Sequence, residues 1–293
     1  MSTASFETIA AARTSPGYWS GVLRRLGRDP VAMFALLVIL AMVLMAVFAP
    51  LIAPADPYRG QMLRRLRPIG TPGFPLGTDE LGRDMLTRLI YGARLSLLMG
   101  VTPVFIAFFI GSAIGITAGY LGGKVNTVLM RTVDVFFAFP SVLLAIALSG
   151  ALGAGIFNGL LSLTIVFIPP IARIAESVTT AVRKIEYVEA ARASGASALT
   201  IVRVHVLGNV IGPIFVYATG LISVSLILAS GLSFLGLGVK PPEPEWGLML
   251  NTLRNAIYVQ PWVAALPGAM IFITSISFNL LSDGLRSAMD LKS

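Results

Sequence analysis

Cysteine is absent from this sequence, histidine occurs once, lysine four times, and charged residues of both signs make up only 12% of 293 positions. Without cysteine there are no disulfides, no thiolate metal ligands and no thiol nucleophile. A single histidine, His205, excludes an HExxH zinc site and any histidine cluster. Gly123-Lys124 is followed by Val125 and not by Ser or Thr, so no phosphate loop of the G-x-x-x-x-G-K-[ST] kind exists here. Gly-x-Ser-x-Gly is missing as well. The shortage of charge excludes more. Soluble domains carry about 25% charged residues, and half that supply cannot coat a soluble surface of this size. A soluble enzyme, a secreted disulfide scaffold and a disordered chain are all set aside.

What is present is apolar: 56% hydrophobic residues and a mean hydropathy of +0.83. The net charge of +8 sits on residues that flank apolar runs, which points to a membrane surface and not to nucleic acid. About 20 apolar residues in a helix cross the hydrocarbon core. Five long uncharged runs occur, at 30–55, 95–123, 135–172, 204–239 and 255–282. The third is too long for one crossing and breaks at Gly150, Gly153, Gly155 and Asn158, giving spans at about 127–149 and 156–173. The fourth ends in Gly231-Leu-Ser-Phe-Leu-Gly-Leu-Gly238, which reads as a fraying helix leading into a re-entrant or surface segment. The expectation is an all-α polytopic membrane protein of six spans, with seven as the alternative count, each helical because lipid offers no partners to open backbone.

The first run is too long for a signal-peptide core and lacks a cleavage site. Arg24, Arg25 and Arg28 precede it, placing the N-terminus in the cytoplasm by the positive-inside rule. Alternation makes the loops 120–126 and 174–203 and the C-terminus cytoplasmic. Lys and Arg then divide 13 inside and 9 outside, a modest bias, with seven of the outer ones in or beside the loop 56–94. The division expected is a cytoplasmic segment 1–29, a first span 30–55, an extracytoplasmic loop 56–94, and a core 95–293 carrying a cytoplasmic loop 174–208. Pro and Gly fill the loop 56–94, favouring turns, and Thr78–Asp84 is expected to start a short helix capped by Thr78 or Asp79.

Ionisable groups near the spans read as interfacial. Asp134 is expected to pair with Arg131, and Asp283 with Arg286, each at (i, i+3) on one helix face; His205 reads as an interfacial side chain. An ion-coupled carrier would hold acids or a broken polar helix at mid-membrane. The mid-span residues here, such as Gly111, Ser112, Gly115, Thr164, Ser223 and Ser225, suit close helix packing instead.

The loop 174–208 is different in kind. Glu186-Tyr-Val-Glu-Ala-Ala-Arg192 favours a short helix, with Glu186 and Glu189 near its positive end. Val188, Ala191, Leu199 and Val202 give a shallow apolar stripe, and Gly195 interrupts it as a residue allowing φ > 0 in a helix–turn–helix would. Such a segment suits docking in a partner's groove; an inert amphipathic connector is the alternative.

At this loop a resemblance emerges. Glu189-Ala-Ala-x-x-x-Gly195, followed at the proper spacing by Leu207, resembles the EAA signature of binding-protein-dependent ABC importer permeases. The chain is closest in pattern to the "C" type permease of dipeptide, oligopeptide and nickel importers. It shares Leu76-Gly-Thr-Asp-Glu-Leu-Gly-Arg-Asp84, Tyr91-Gly-Ala-Arg-Leu-Ser96, Ile168-Pro-Pro-Ile-Ala-Arg173, Leu232-Ser-Phe-Leu-Gly-Leu-Gly-Val239 and Phe278-Asn-Leu-Leu-x-Asp-Gly-Leu-Arg286 with them. The family motif usually ends in Pro where this chain has Gly208, which is expected to loosen the turn into the fifth span; Ser177 to Lys184 also diverge.

The resemblance implies the type I importer permease fold in a bacterial inner membrane. It also implies a second homologous permease subunit, two ATPase subunits that hold ATP and Mg²⁺, an extracytoplasmic solute-binding protein, and no cofactor on this chain. Tyr187, Glu189, Ala190, Ala191, Arg192, Gly195 and Leu207 are then the ATPase-coupling residues, none of them catalytic. Di- or oligopeptide is the expected solute, with nickel or glutathione as alternatives within the class. An ion-coupled transporter or channel acting without an ATPase is the alternative outside it.

Overall fold

A computed structural model describes residues 18–289, and among these the secondary structure is helical, with two isolated β-bridges and no strand. Residues 1–17 of the expected N-terminal segment, and the last four residues, lie outside the described part. Twelve α-helices follow in order among the described residues: α1 (Tyr18–Leu26), α2 (Pro30–Val47), α3 (Ala49–Ile52), α4 (Met85–Leu121), α5 (Gly123–Phe137), α6 (Ser141–Leu152), α7 (Ile156–Val182), α8 (Glu186–Ala193), α9 (Ala198–Ile201), α10 (Leu207–Phe234), α11 (Trp246–Thr252) and α12 (Pro261–Met289).

Local chemistry sets the helix starts. Pro30 fixes φ at the first position of α2, and the Asp29 carboxylate accepts from the N–H groups of Val31 and Ala32. Asp84 caps α4, its Oδ2 accepting from the Thr87 N–H at 2.8 Å and the Thr87 hydroxyl at 2.6 Å. The short helix expected over Thr78–Asp84 does not form. Asp79 instead closes a tight turn, its Oδ1 accepting from the N–H groups of Leu81 and Arg83. The segment assigned to the loop 56–94 therefore ends at Asp84, ten residues early. Arg94 bounds the uncharged run in sequence, yet it and Arg88 each find a partner inside the protein. Arg88 pairs with Asp79 and donates to the Pro57 carbonyl, and Arg94 donates to the Ala46 carbonyl at 2.6 Å. A neutralised charge need not end a helix.

Five helices are long and apolar enough to cross a membrane: α2, α4, α7, the continuous stretch Ala198–Phe234, and α12. The sixth traverse is not the straight span expected at 127–149. α5 and α6 meet at 84°, because Pro140 cannot donate to a helix and biases Phe139 away from helical backbone. α6 then ends at Gly153 (φ +87°), at the glycine break read from sequence. The packing of α4 on α7 shows that this bent pair returns the chain across the bundle. Gly111 lies against Ile168 and Ile171, Gly115 against Ala172 and Ala175, and Gly119 against Glu176 and Thr179. Both series advance together, so α4 and α7 run parallel, and only a traverse between them allows that. Six crossings result, and a seventh is not found among the described residues.

The α4–α7 contact is backbone-close. A Cβ at Gly111 would sit 2.9 Å from the Ile168 carbonyl and one at Gly119 2.7 Å from the Glu176 carbonyl, while one at Gly115 would collide with the Ala172 carbonyl. This is small-residue packing as in other membrane bundles. Gly115→Val is expected to force the helices apart at a cost of about 1–3 kcal/mol, read as a lower thermal midpoint in detergent. An unchanged midpoint would show that the crossing tolerates separation.

Two large apolar cores, with two smaller clusters beside them, fill the bundle among the described residues. One joins α4, α7 and α10 through Val104, Leu163, Phe167, Ile171, Val210 and Ile214. The other joins α2, α4, α11 and α12 around Trp246, which is wholly buried. The Trp246 indole N–H donates to the Leu89 carbonyl and its backbone N–H to the Ser96 hydroxyl, both at 3.0 Å. Glu245 beside it caps α11. Burial pushes its carboxyl pKa up, and the N–H groups of Gly247 and Leu248 pull it back. α11, the start of α4 and the segment 53–84 thus form one end of the bundle. α8, the ends of α4, α7 and α12, and α1 form the opposite end, where the Arg25 guanidinium donates to the Ala288 carbonyl at 2.7 Å.

Three further expectations are corrected. Asp134 pairs with Arg173 of α7 and not with Arg131, so the pair joins two helices. Asp283 is exposed and forms no ion pair with Arg286 among those of the described residues. No turn occurs at Gly208. A π-helical stretch, Val202–Val206, carries α9 directly into α10, so Gly208 lies within a continuous helix; that helix ends at Phe234, inside the stretch 231–238 where fraying is expected.

Candidate functional site

The loop assigned to 174–208 is in fact mostly helix, since α7 continues to Val182 and the next long helix begins at Ala198. What projects from the bundle between them is α8 and its two turns. Its eight residues carry Glu186 and Glu189 in the first turn and Arg192 in the last, each sign where the helix dipole favours it. Gly195, at φ +81°, ends it. The Gly195 N–H donates to the Arg192 carbonyl at 3.1 Å and the Ala196 N–H to the Ala191 carbonyl at 3.2 Å, the paired bonds of a Schellman terminus. A Cβ at Gly195 would meet open space, so the demand for glycine is conformational alone.

One side chain roots this helix. Val188 is fully buried and packs with Val182, Ile201 and Val206 at the end of the α4–α7–α10 core. Ala191, Val202 and Leu207 pack partly buried against the same core. Leu199, expected in the stripe, is 68% exposed, and Ile201 takes its place. The turn at Gly195 separates α9 from α8, so the helical period of α8 does not carry through to Leu199.

Three contacts that the sequence did not reveal tie α8 to the spans. The Arg192 guanidinium lies 5.9 Å from the centroid of the Tyr120 ring, at the end of α4. Asn209 in α10 donates to the Tyr187 hydroxyl at 3.0 Å, and the His205 ring packs against Tyr187 at 5.9 Å between centroids. His205 is therefore a wedge under Tyr187. Glu186, Glu189 and Ala190 are exposed on the remaining face. α8 is a small solvent-facing helix rigidly geared to α4, α7 and α10. It offers acidic and small side chains outward.

Within the bundle, the break between α5 and α6 opens a cavity of about 510 Å³. Phe137, Phe139 and Ser141 of the break face Pro170 of α7 and Tyr217 and Leu221 of α10 across it. Helix discontinuity at membrane depth is tolerated where it lines a cavity.

Residues 111–292 match the family described as "Binding-protein-dependent transport system inner membrane component", and residues 17–68 match the N-terminal transmembrane domain of oligopeptide transport permease C. The glutathione transport system permease protein GsiD of Pectobacterium atrosepticum is 40% identical over 274 residues, 94% of this chain and 91% of that one. The di/tripeptide transport system permease protein DppC of Pseudomonas aeruginosa is 42% identical over 266 residues, 89% of this chain and 88% of that one. Among solved structures, the inward-facing MetNI methionine ABC transporter shares the fold at a TM-score of 0.56 and 20% identity, over 70% of this chain and 97% of its own. The chain is thus a multi-pass membrane protein that belongs to the family of binding-protein-dependent transport system inner membrane components.

Proposed function

We propose that this chain is one of two homologous permease subunits of an ATP-driven importer, with α8 as the helix that docks in an ATPase subunit. The observation that supports this is the gearing of α8: its outward face is free for a partner while Val188, Tyr187 and Arg192 fasten it to three spans. A push on such a helix is delivered to α4, α7 and α10 together. ATP-driven closure of the ATPases moves the permease only as far as it binds one permease conformation better than the other. Phosphoryl transfer, with its Mg²⁺, belongs to the partners, and this chain supplies no catalytic group. Glu189, Ala190, Ala191 and Gly195 carry the coupling, flanked by Tyr187 and Arg192, with Leu207 rooting the next span.

The solute is a short peptide. The relatives named for glutathione and for di- and tripeptides all handle that class, and the cavity at the α5–α6 break is the part of the path this chain contributes. On this reading both termini and α8 are cytoplasmic, and the segment 53–84 faces outward in a bacterial inner membrane. The natural absence of cysteine makes the test clean. A cysteine at Gly70 is expected to label from outside in intact cells, and one at Ser197 only after permeabilisation. Labelling of both from one side, or the reverse pattern, overturns the orientation.

A further inference from the structure

Seven basic residues in or beside the loop 56–94 run against the charge bias expected of an outward segment. The structure divides them. Arg83 and Arg88 are buried with Asp79, and Arg94 is bound to the carbonyls of Ala46 and Val47. Arg59, Arg64, Arg65 and Arg67 are all exposed, and none takes part in an ion pair among the described residues. The nearby acids are engaged elsewhere: Asp84 caps α4, Glu80 reaches Arg83, and Asp56 accepts the Tyr58 N–H. In the middle of the arginines, a 3₁₀ turn at Met62–Arg64 presents Met62 at 60% and Leu63 at 93% exposure.

This surface is rigidly mounted. The Arg67 N–H donates to the Thr78 hydroxyl at 2.9 Å, that hydroxyl donates to the Arg64 carbonyl, and the Leu66 N–H donates to the Asp79 carbonyl at 3.0 Å. The Arg64 guanidinium lies over the Phe74 ring at 5.5 Å. A preorganised apolar tip ringed by arginines has the composition of a protein–protein contact, where Arg and Met are enriched.

We infer that the turn 59–67 is a docking platform for an acidic protein surface, the rim of the solute-binding protein that delivers to this permease. The inference rests on the proposed function, which places this end outside, and on a family whose description makes transport binding-protein-dependent. Charge steering accelerates the encounter, and Leu63 and Met62 hold the complex once formed.

The test uses the whole transporter in nanodiscs, with the purified solute-binding protein of the same system as the probe. Association with the native complex is expected to slow as salt rises. Charge reversal in Arg64→Glu/Arg65→Glu is expected to cut the association rate about tenfold or more and flatten that salt dependence. Leu63→Ala is expected to speed dissociation several-fold. Basal ATP hydrolysis should stay at the native value and thermal midpoints should shift little, since the backbone and Thr78 hydrogen bonds that hold the turn remain when the Arg64–Phe74 contact is lost. Unchanged association and dissociation in both variants overturns the inference while leaving the transport reading intact. Effects on stimulated hydrolysis that appear only in phosphatidylglycerol discs, and not in phosphatidylcholine discs, assign the arginines to lipid and overturn it also. If the native complex itself neither binds the protein nor responds to it, the transport reading fails, and the platform with it.

Discussion

Glu189→Lys is expected to abolish solute uptake while leaving the protein folded and the ATPase subunits active. Glu189 is exposed in the first turn of α8, and its carboxylate makes no ion pair within the described residues. Reversing it therefore breaks nothing inside the permease. It does place a cation at the positive end of a helix dipole and toward a docked partner. A charge-assisted hydrogen bond to that partner is typically worth about 1.5–3 kcal/mol, so docking is expected to weaken by about tenfold or more. In reconstituted vesicles, hydrolysis should continue at its basal rate without stimulation by the loaded binding protein. Solute affinity of the binding protein should not change. Uptake at the native level, or altered solute preference with hydrolysis still coupled, would remove α8 from the coupling role.

Asp79→Asn carries the largest expected effect on stability. The Asp79 carboxylate is 2.6 Å from the Arg83 Nε and 3.3 Å from the Arg88 Nε, and all three side chains are almost fully buried. Burial raises the pKa of neighbouring Glu80, and its one ion pair among the described residues is to Arg83 at 3.4 Å, so Glu80 is poorly placed to take over as counterion to both arginines. An amide at position 79 would leave two buried guanidinium groups sharing that one acid. Loss of one partner from a buried ionic cluster costs about 3–5 kcal/mol. The variant is expected to accumulate poorly in the membrane and to lose thermal stability in detergent. Asp79→Glu, which keeps the charge, should recover part of both. A native melting temperature for Asp79→Asn would mean that the cluster is incidental to the fold.

The sequence made α8 legible because its evidence is local. A short Glu/Ala-rich stretch ending in glycine reads as a capped helix, and Gly195 adopts the positive φ that the pattern requires. The number of traverses was legible too, since apolar runs have no other stable form in lipid. Helix limits were not. A count of uncharged residues stops at Arg94 and Arg173, yet each meets an anion or a carbonyl and stays inside its helix. Asp134 was assigned the partner nearest in sequence, Arg131. The fold supplied Arg173, 39 residues away, because α5 folds back along α7. The gearing of α8 through Tyr120, Asn209 and Val188 was equally out of reach, since it joins residues from four separated stretches.

Coupling through α8 requires that it touch an ATPase subunit. The chain contains no cysteine, so a single one introduced at the exposed position Ala190 is a unique reporter. In the assembled transporter, Cys substituted at Ala190 is expected to cross-link to an ATPase subunit with a short bifunctional reagent, with a yield that changes between ATP-bound and nucleotide-free states. A cysteine at Gly70, at the opposite end of the bundle, should give no such product. ATP-dependent uptake with no ATPase cross-link from Ala190→Cys, or the same cross-link from Gly70→Cys, would contradict it.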